Sequence, residues 1–285
     1  MPAGSWGADA ALRRTSAPGR LRLRAAWLLW FVAATVALSG CAGRGRVVLP
    51  TDDGTPFPDV AQVHAPLAAA CTGVRTLTAE LGLSGRVDGQ RIRGRLIAGF
   101  ERPDRMRLEG VAPFGPPAFI LAATPAAATL YLPRDRRVAR DASAAVLLGA
   151  LTGVSIAPRD LLAVLTGCVA AEPQPTGGRR HGGGWASIDL QGGARLFLRE
   201  AGGRWAVRAA RLDDWQIDYD AWTGAFPGVV RLQTTRGQPA VDATAAVSQV
   251  MTNLEIDPGA FQVDVPEGTA ETSAEALRQG SPWGR

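Results

Sequence analysis

The sequence predicts a mostly-β fold. A long antiparallel meander of about ten or eleven strands follows one helix and is interrupted midway by two short helices. Three observations carry this. Apolar and polar residues alternate over successive short runs, the mark of a sheet with one wet face and one apolar face. Tight-turn residues separate the runs, as at Asp88-Gly89 and Arg102-Pro103-Asp104. The alternation stops once, between residues 142 and 166, where the pattern becomes helical.

The elements follow in chain order. Arg13, Arg14, Arg20, Arg22 and Arg24 precede an apolar run from Ala25 that ends in Leu38-Ser39-Gly40-Cys41. A basic region, a short apolar region and small residues at a cut site are the layout of a secretory signal. The apolar run is shorter than the roughly 20 residues that span a bilayer. Its end resembles the lipobox of bacterial lipoproteins. That resemblance implies cleavage before Cys41 and acylation of Cys41, which gives a signal over 1–40 and a protein held to a membrane by lipid. Residues 41–59 mix Gly, Pro and charge without a period and read as a flexible tether. Val60 to Ala70 places Val60, Val63 and Leu67 on one side and reads as a helix carrying Pro66.

The period then becomes two. Leu77, Ala79, Leu81 and Leu83 alternate with polar or small residues. Ile92, Leu96, Ala98 and Phe100 oppose Arg91, Arg93 and Arg95; Met106 and Leu108 oppose Arg105, Arg107 and Glu109. Further strands are expected near 117–124, 127–133 and 136–140. Residues 142–151 and 158–166 read as helices, with Pro158 suited to a first turn and Gly167 to a stop. Residues 172–184 read as a flexible Gly-rich loop. Strands resume at 185–190, 194–200, 204–220, 228–236 and 240–251. The region 60–266 is one domain, and 267–285 a polar, loose tail. A strand series this long curls, and the two inserted helices are the available cover for its apolar face.

Charge excludes one class of function. The whole chain is formally +5, but the five arginines and single acid (Asp9) of residues 1–40 leave 26 basic and 25 acidic residues, a net of +1. Every basic residue other than the two histidines is arginine, and no basic run is interleaved with aromatics, so the pattern does not point to nucleic acid. Export places Cys71 and Cys168 in an oxidising compartment, where the pair is expected to be bridged.

The stretch from Leu83 to Gly167 resembles LolB, the family of outer-membrane lipoprotein receptors, and its wider LolA/LolB-like superfamily. The resemblance is carried by Arg86-Val87, Asp104-Arg105-Met106-Arg107-Leu108, Ala112-Pro113-Phe114-Gly115, Leu151-Thr152-Gly153 with Ile156, and the helix ending at Gly167. It implies an unclosed antiparallel β-barrel of about eleven strands with a helical lid over an apolar cavity. It also implies a lipid-anchored carrier on the periplasmic face of the outer membrane that takes acyl chains of lipoproteins or lipids from a LolA-type donor. Leu96, Phe100, Met106 and Leu108 are expected as cavity wall, and Leu147, Leu148, Leu161 and Leu165 as lid. The position of Phe114 matches the family's exposed delivery loop. After Gly167 the chain departs from that family, with a longer Gly-rich loop and a C-terminal stretch carrying Phe261, Val263 and Val265. The rival reading is a structural envelope lipoprotein with a filled core and no ligand.

Catalytic chemistry finds little footing. His181-Gly-Gly-Gly-Trp185 resembles the oxyanion loop of lipases, but the nearest approach to a G-x-S-x-G elbow, Gly153 to Ala157 around Ser155, comes before it. The only other histidine, His64, lies far upstream, so no Ser…Asp…His order is expected. Asp213-Asp214 reads as a turn rather than a glycosidase pair. No metal-ligand spacing or nucleotide fingerprint appears. The expectation is a non-enzyme without a cofactor, acting as a monomer.

Overall fold

A computed structural model describes residues 46–279 apart from 142, 170–172 and 238. Cys41 and the signal region lie outside the described residues. Among the described residues the fold is mostly β: one large unclosed antiparallel sheet with four helices. In chain order the elements are β1 (Thr55–Pro56), α1 (Val60–Thr72), β2 (Thr76–Val87), β3 (Gln90–Glu101), β4 (Arg105–Val111), β5 (Ile120–Ala123), β6 (Ala128–Leu132) and β7 (Arg137–Asp141). The helices α2 (Ala144–Thr152) and α3 (Pro158–Thr166) follow. The second half comprises β8 (Pro175–His181), β9 (Trp185–Leu190), β10 (Arg195–Ala201), β11 (Arg204–Leu212), β12 (Trp215–Asp220), β13 (Val229–Thr234) and β14 (Val241–Thr252). β15 (Ala270–Glu271) and α4 (Ala274–Gln279) end the described chain.

The strand order is β1-β8-β9-β10-β11-β12-β13-β14-β2-β3-β4-β5-β6-β7-β15. The two halves of the meander therefore join where β14 pairs antiparallel with β2, Ala245 opposite Leu83. Both edges are closed off by two-residue strands, β1 against β8 and β15 parallel to β7. Short edges of this kind limit pairing with other chains.

The alternation seen in sequence sets the two faces. Leu96, Ala98 and Phe100 of β3 point inward and are buried; on the outer face Arg95 pairs with Glu80 at 2.8 Å. The inner face carries two cores. The first holds Leu77, Leu81, Phe100, Met106, Leu121 and Leu130 against Leu147 and Leu151 of α2. The second holds Ile188, Leu196, Leu198, Ile217 and Tyr219, with Val60, Val63 and Leu67 of α1 packed on it. α3 straddles both: Leu162 and Leu165 belong to the first core and Val164 to the second. Pro158 opens α3 and Gly167 closes it at φ 74°, a left-handed cap that glycine adopts without a Cβ clash.

Fifteen strands stand where about eleven are expected, and four elements make the difference. Residues 175–181, read as flexible loop, form β8; Pro-Thr-Gly-Gly-Arg-Arg-His lacks apolar alternation, and β9 supplies the backbone partners. The run 204–220 is two strands, β11 and β12, with Asp213 at φ 48° in the turn between. β1 lies inside the stretch read as tether, where Leu49 and Phe57 are buried. Leu49 packs with Phe197 and Ala209 on the outer face of the sheet, and the Phe57 ring lies 5.8 Å from that of Trp205. The fourth is β15, in the stretch read as a loose tail, which is docked: Leu277 of α4 is buried in the first core, and Phe261 is buried where Arg107 donates to the Ala260 and Gln262 carbonyls.

Candidate functional site

An apolar cavity of about 150 Å³ opens at the seam of the two cores, beneath α2 and α3. Its floor is sheet: Leu81 and Leu83 of β2, Ile92 and Leu96 of β3, Leu108 of β4, Val230 and Leu232 of β13, Ala243 and Ala245 of β14. Its roof is Leu148 of α2, Leu161, Val164 and Leu165 of α3, and Val154 and Ile156 of the connection between them. Thr152 and Thr244 are the only side chains on the wall with a hydroxyl. The Thr152 hydroxyl is turned back into its own helix, donating to the Leu148 carbonyl at 2.8 Å. A void lined in this way holds apolar matter and stays dry.

The residues named from sequence divide by depth along the strands. Leu96, Leu108, Leu148, Leu161 and Leu165 line the cavity. Phe100, Met106 and Leu147 lie in the filled first core beside it, with 1%, 0% and 0% exposure. The sheet residues among them share the inner face, but of these only Leu96 of β3 and Leu108 of β4 reach the void. The contribution of β13 and β14 was missed, although Val230/Leu232 and Ala243/Ala245 have the same period of two.

The lid is anchored at one end. Cys71, in the last turn of α1, is disulfide-bonded to Cys168 just past the α3 cap, with Cα atoms 5.5 Å apart. Phe114 sits in the β4–β5 loop with 88% of its surface exposed. Gly115 follows it at φ 77°, and Arg134 donates to the Phe114 carbonyl at 2.8 Å, which fixes the backbone and leaves the ring in solvent.

One grouping was not foreseen from the sequence. On the outer face, His181 Nδ1 lies 2.8 Å from an Asp52 carboxylate oxygen and Nε2 lies 3.0 Å from Ser187 Oγ. A Ser–His–Asp line therefore exists, in the chain order Asp, His, Ser. The hydrogen bond and charge of His181 hold the Asp52 carboxyl below its ordinary 3.8. Its exposures are the reverse of what nucleophilic attack needs: Ser187 is 2% exposed, while Asp52 is 54% exposed. The line instead ties residues 47–54 to the sheet, alongside the Val47 N–H, which donates to Asp218 at 3.3 Å. No sequence signal could show it, since 129 residues separate Asp52 from His181. Among the described residues, no group of three His, Cys, Asp or Glu side chains is placed to hold a metal ion.

No protein-family model and no curated protein sequence matches the chain. Among solved structures it is similar to a DUF1329 family protein from Desulfovibrio piger, with a TM-score of 0.48 and 10% identity over 73% of this chain and 98% of that one. It is also similar to a LolA superfamily protein from Nitrosomonas europaea, with a TM-score of 0.48 and 11% identity over 70% of this chain and 98% of that one.

Proposed function

We propose that this protein is a lipid-anchored envelope carrier. It shelters acyl chains of lipoproteins or lipids in the seam cavity and passes them to a membrane. The observation that carries the reading is the wall of the cavity. A scaffold has every reason to fill such a space with side chains, because interiors pack to crystal-like density. Here five strands, two helices and the connection between them surround a space lined almost wholly by hydrocarbon.

The size of the cavity states how it works. At about 150 Å³ it is below the roughly 300–1,000 Å³ of ordinary ligand sites. In its closed form it accepts the end of a chain, and a longer stretch enters only as α2, α3 and residues 153–157 move off the sheet. Each methylene taken from water contributes ~0.8 kcal/mol. A site that encloses part of a chain therefore holds it loosely enough to give it up. Phe114 is the delivery element in this reading: an exposed ring on a braced loop that touches the apolar layer. Cys41, by its lipobox, places the carrier at the periplasmic face of the outer membrane, with a LolA-type carrier as donor.

The test is an acylated peptide bearing a photoreactive diazirine near the chain end. Crosslinks are expected in peptides containing Leu83, Val230 or Ala245. Labelling confined to the outer face, or unsaturable labelling, overturns the reading.

A further inference from the structure

Two buried hydrogen-bond donors lie in the second core beyond the cavity lining, and neither has a partner among the described residues: the Tyr219 hydroxyl and the Trp222 indole N–H. Their rings lie 6.1 Å apart. Tyr219 belongs to a row that crosses the sheet at one level. Leu83 of β2 faces Ala245 of β14, Ala245 faces Val230 of β13, and Val230 faces Tyr219 of β12. The first three line the cavity. Tyr219 is the next step along the same inner face, fully buried in the second core together with Val164 of the lid. Trp222 stands beside the Tyr219 end of the row. Its six-membered ring presses on Gly167, where a Cβ would come within 2.7 Å of it, so it sits under the fixed end of α3 beside the disulfide.

Buried donors of this kind are rare in folded proteins, because leaving one unpaired forfeits its hydration without return. Two together, one a pure donor and the other a hydroxyl, call for a group that accepts and has no hydrogen of its own to place. We propose that Tyr219 and Trp222 are the polar end of the acyl-chain site and donate to the ester or amide carbonyl at the head of a bound acyl group. This rests on the carrier reading and deepens it: the ligand is an acyl ester or amide rather than any hydrocarbon. The carbonyl lies by the tethered end of the lid. The chain runs away from it across Val230 and Ala245 toward Val87 and Ile92.

The test is Tyr219→Phe in the full chain, which removes one oxygen and keeps the ring. Because that oxygen has no partner among the described residues, the melting temperature is expected to hold or rise. Binding is then compared for methyl decanoate and undecane, which offer similar chains with and without a carbonyl. The variant should bind the ester roughly tenfold more weakly, a factor equivalent to 1.4 kcal/mol, and undecane as wild type does. Equal affinity of wild type and variant for the ester overturns the proposal. So does a melting temperature lowered by several degrees, which would mean that the hydroxyl already has a structural partner. If wild type binds neither compound, the carrier reading itself fails and takes this one with it. If wild type binds undecane as tightly as the ester, only the present proposal fails. A second arm uses a diacylglyceryl-cysteine peptide and phosphatidylglycerol. The one whose affinity depends on Tyr219 names the source of the carbonyl, and dependence of neither overturns the assignment.

Discussion

Ala245→Leu separates a carrier from a filled scaffold. Ala245 is half-buried at the seam, between Leu83 and Val230, and its side chain faces the void. Leucine adds three carbons, worth ~2.4 kcal/mol at ~0.8 kcal/mol for each group removed from water. The void sets a ceiling: 150 Å³ at about 24 cal/mol per Å³ corresponds to ~3.6 kcal/mol if wholly filled. Ordering the leucine side chain returns about 0.5–1 kcal/mol. The net stabilisation is ~1.5–2 kcal/mol, or a rise in melting temperature of ~3–8 °C for a domain of this size. Calorimetry of the variant gives the stability, and displacement of an apolar fluorescent probe by an acylated peptide gives the binding. The expected outcome is a more stable protein that no longer binds. A destabilisation of 1 kcal/mol or more would show overpacking and no usable void. A stabilised variant with unchanged binding would place the acyl site elsewhere.

Three further outcomes follow from the same geometry. Phe114→Glu should leave the melting temperature within about a degree, because the ring is in solvent. It should slow transfer of acylated cargo to liposomes, since a charge opposes entry into the apolar layer; unchanged transfer removes the role assigned to the loop. Replacing Cys71 and Cys168 together by alanine should cost ~2–4 kcal/mol, read by denaturant unfolding, and should speed exchange of bound ligand because the lid loses its fixed end; unaltered exchange refutes that tether. Acid should loosen the segment 47–54. Asp52 has a lowered pKa through its bond to His181, so the contact is present above about 3.8 and is lost as pH falls through the lower folded value. Amide exchange of residues 47–54 should rise below pH 4 in wild type and be fast at every pH in Asp52→Asn; a flat profile in wild type contradicts the linkage.

What the sequence made legible follows from where the information is local. Strict alternation over 77–111 specifies strands and their inner face, because a slip of one residue would turn every apolar side chain to water. Pro158 and Gly167 bracket a helix by backbone chemistry alone. Depth is another matter. Leu96 and Phe100 are equivalent in period, yet one lines a void and the other fills a core, since the position of the lid along the strand is a tertiary fact. β8 has no apolar signal to read and is held by its neighbours' hydrogen bonds. Phe57 and Leu277 are isolated large apolar residues in polar stretches, and Val47-Val48-Leu49 is too short to show a period, so nothing local betrays that Leu49, Phe57 and Leu277 are buried. The Asp52–His181–Ser187 line and the unpaired donors of Tyr219 and Trp222 arise only when distant strands are brought together.

The central claim is that the seam cavity holds acyl chains, and the most direct measurement is native mass spectrometry of the protein taken from its own membrane without lipid exchange. The account predicts a bound acyl-bearing molecule at about one per chain in wild type and none in Ala245→Leu. A wild-type protein that is lipid-free, or a variant that retains the same lipid, would contradict it.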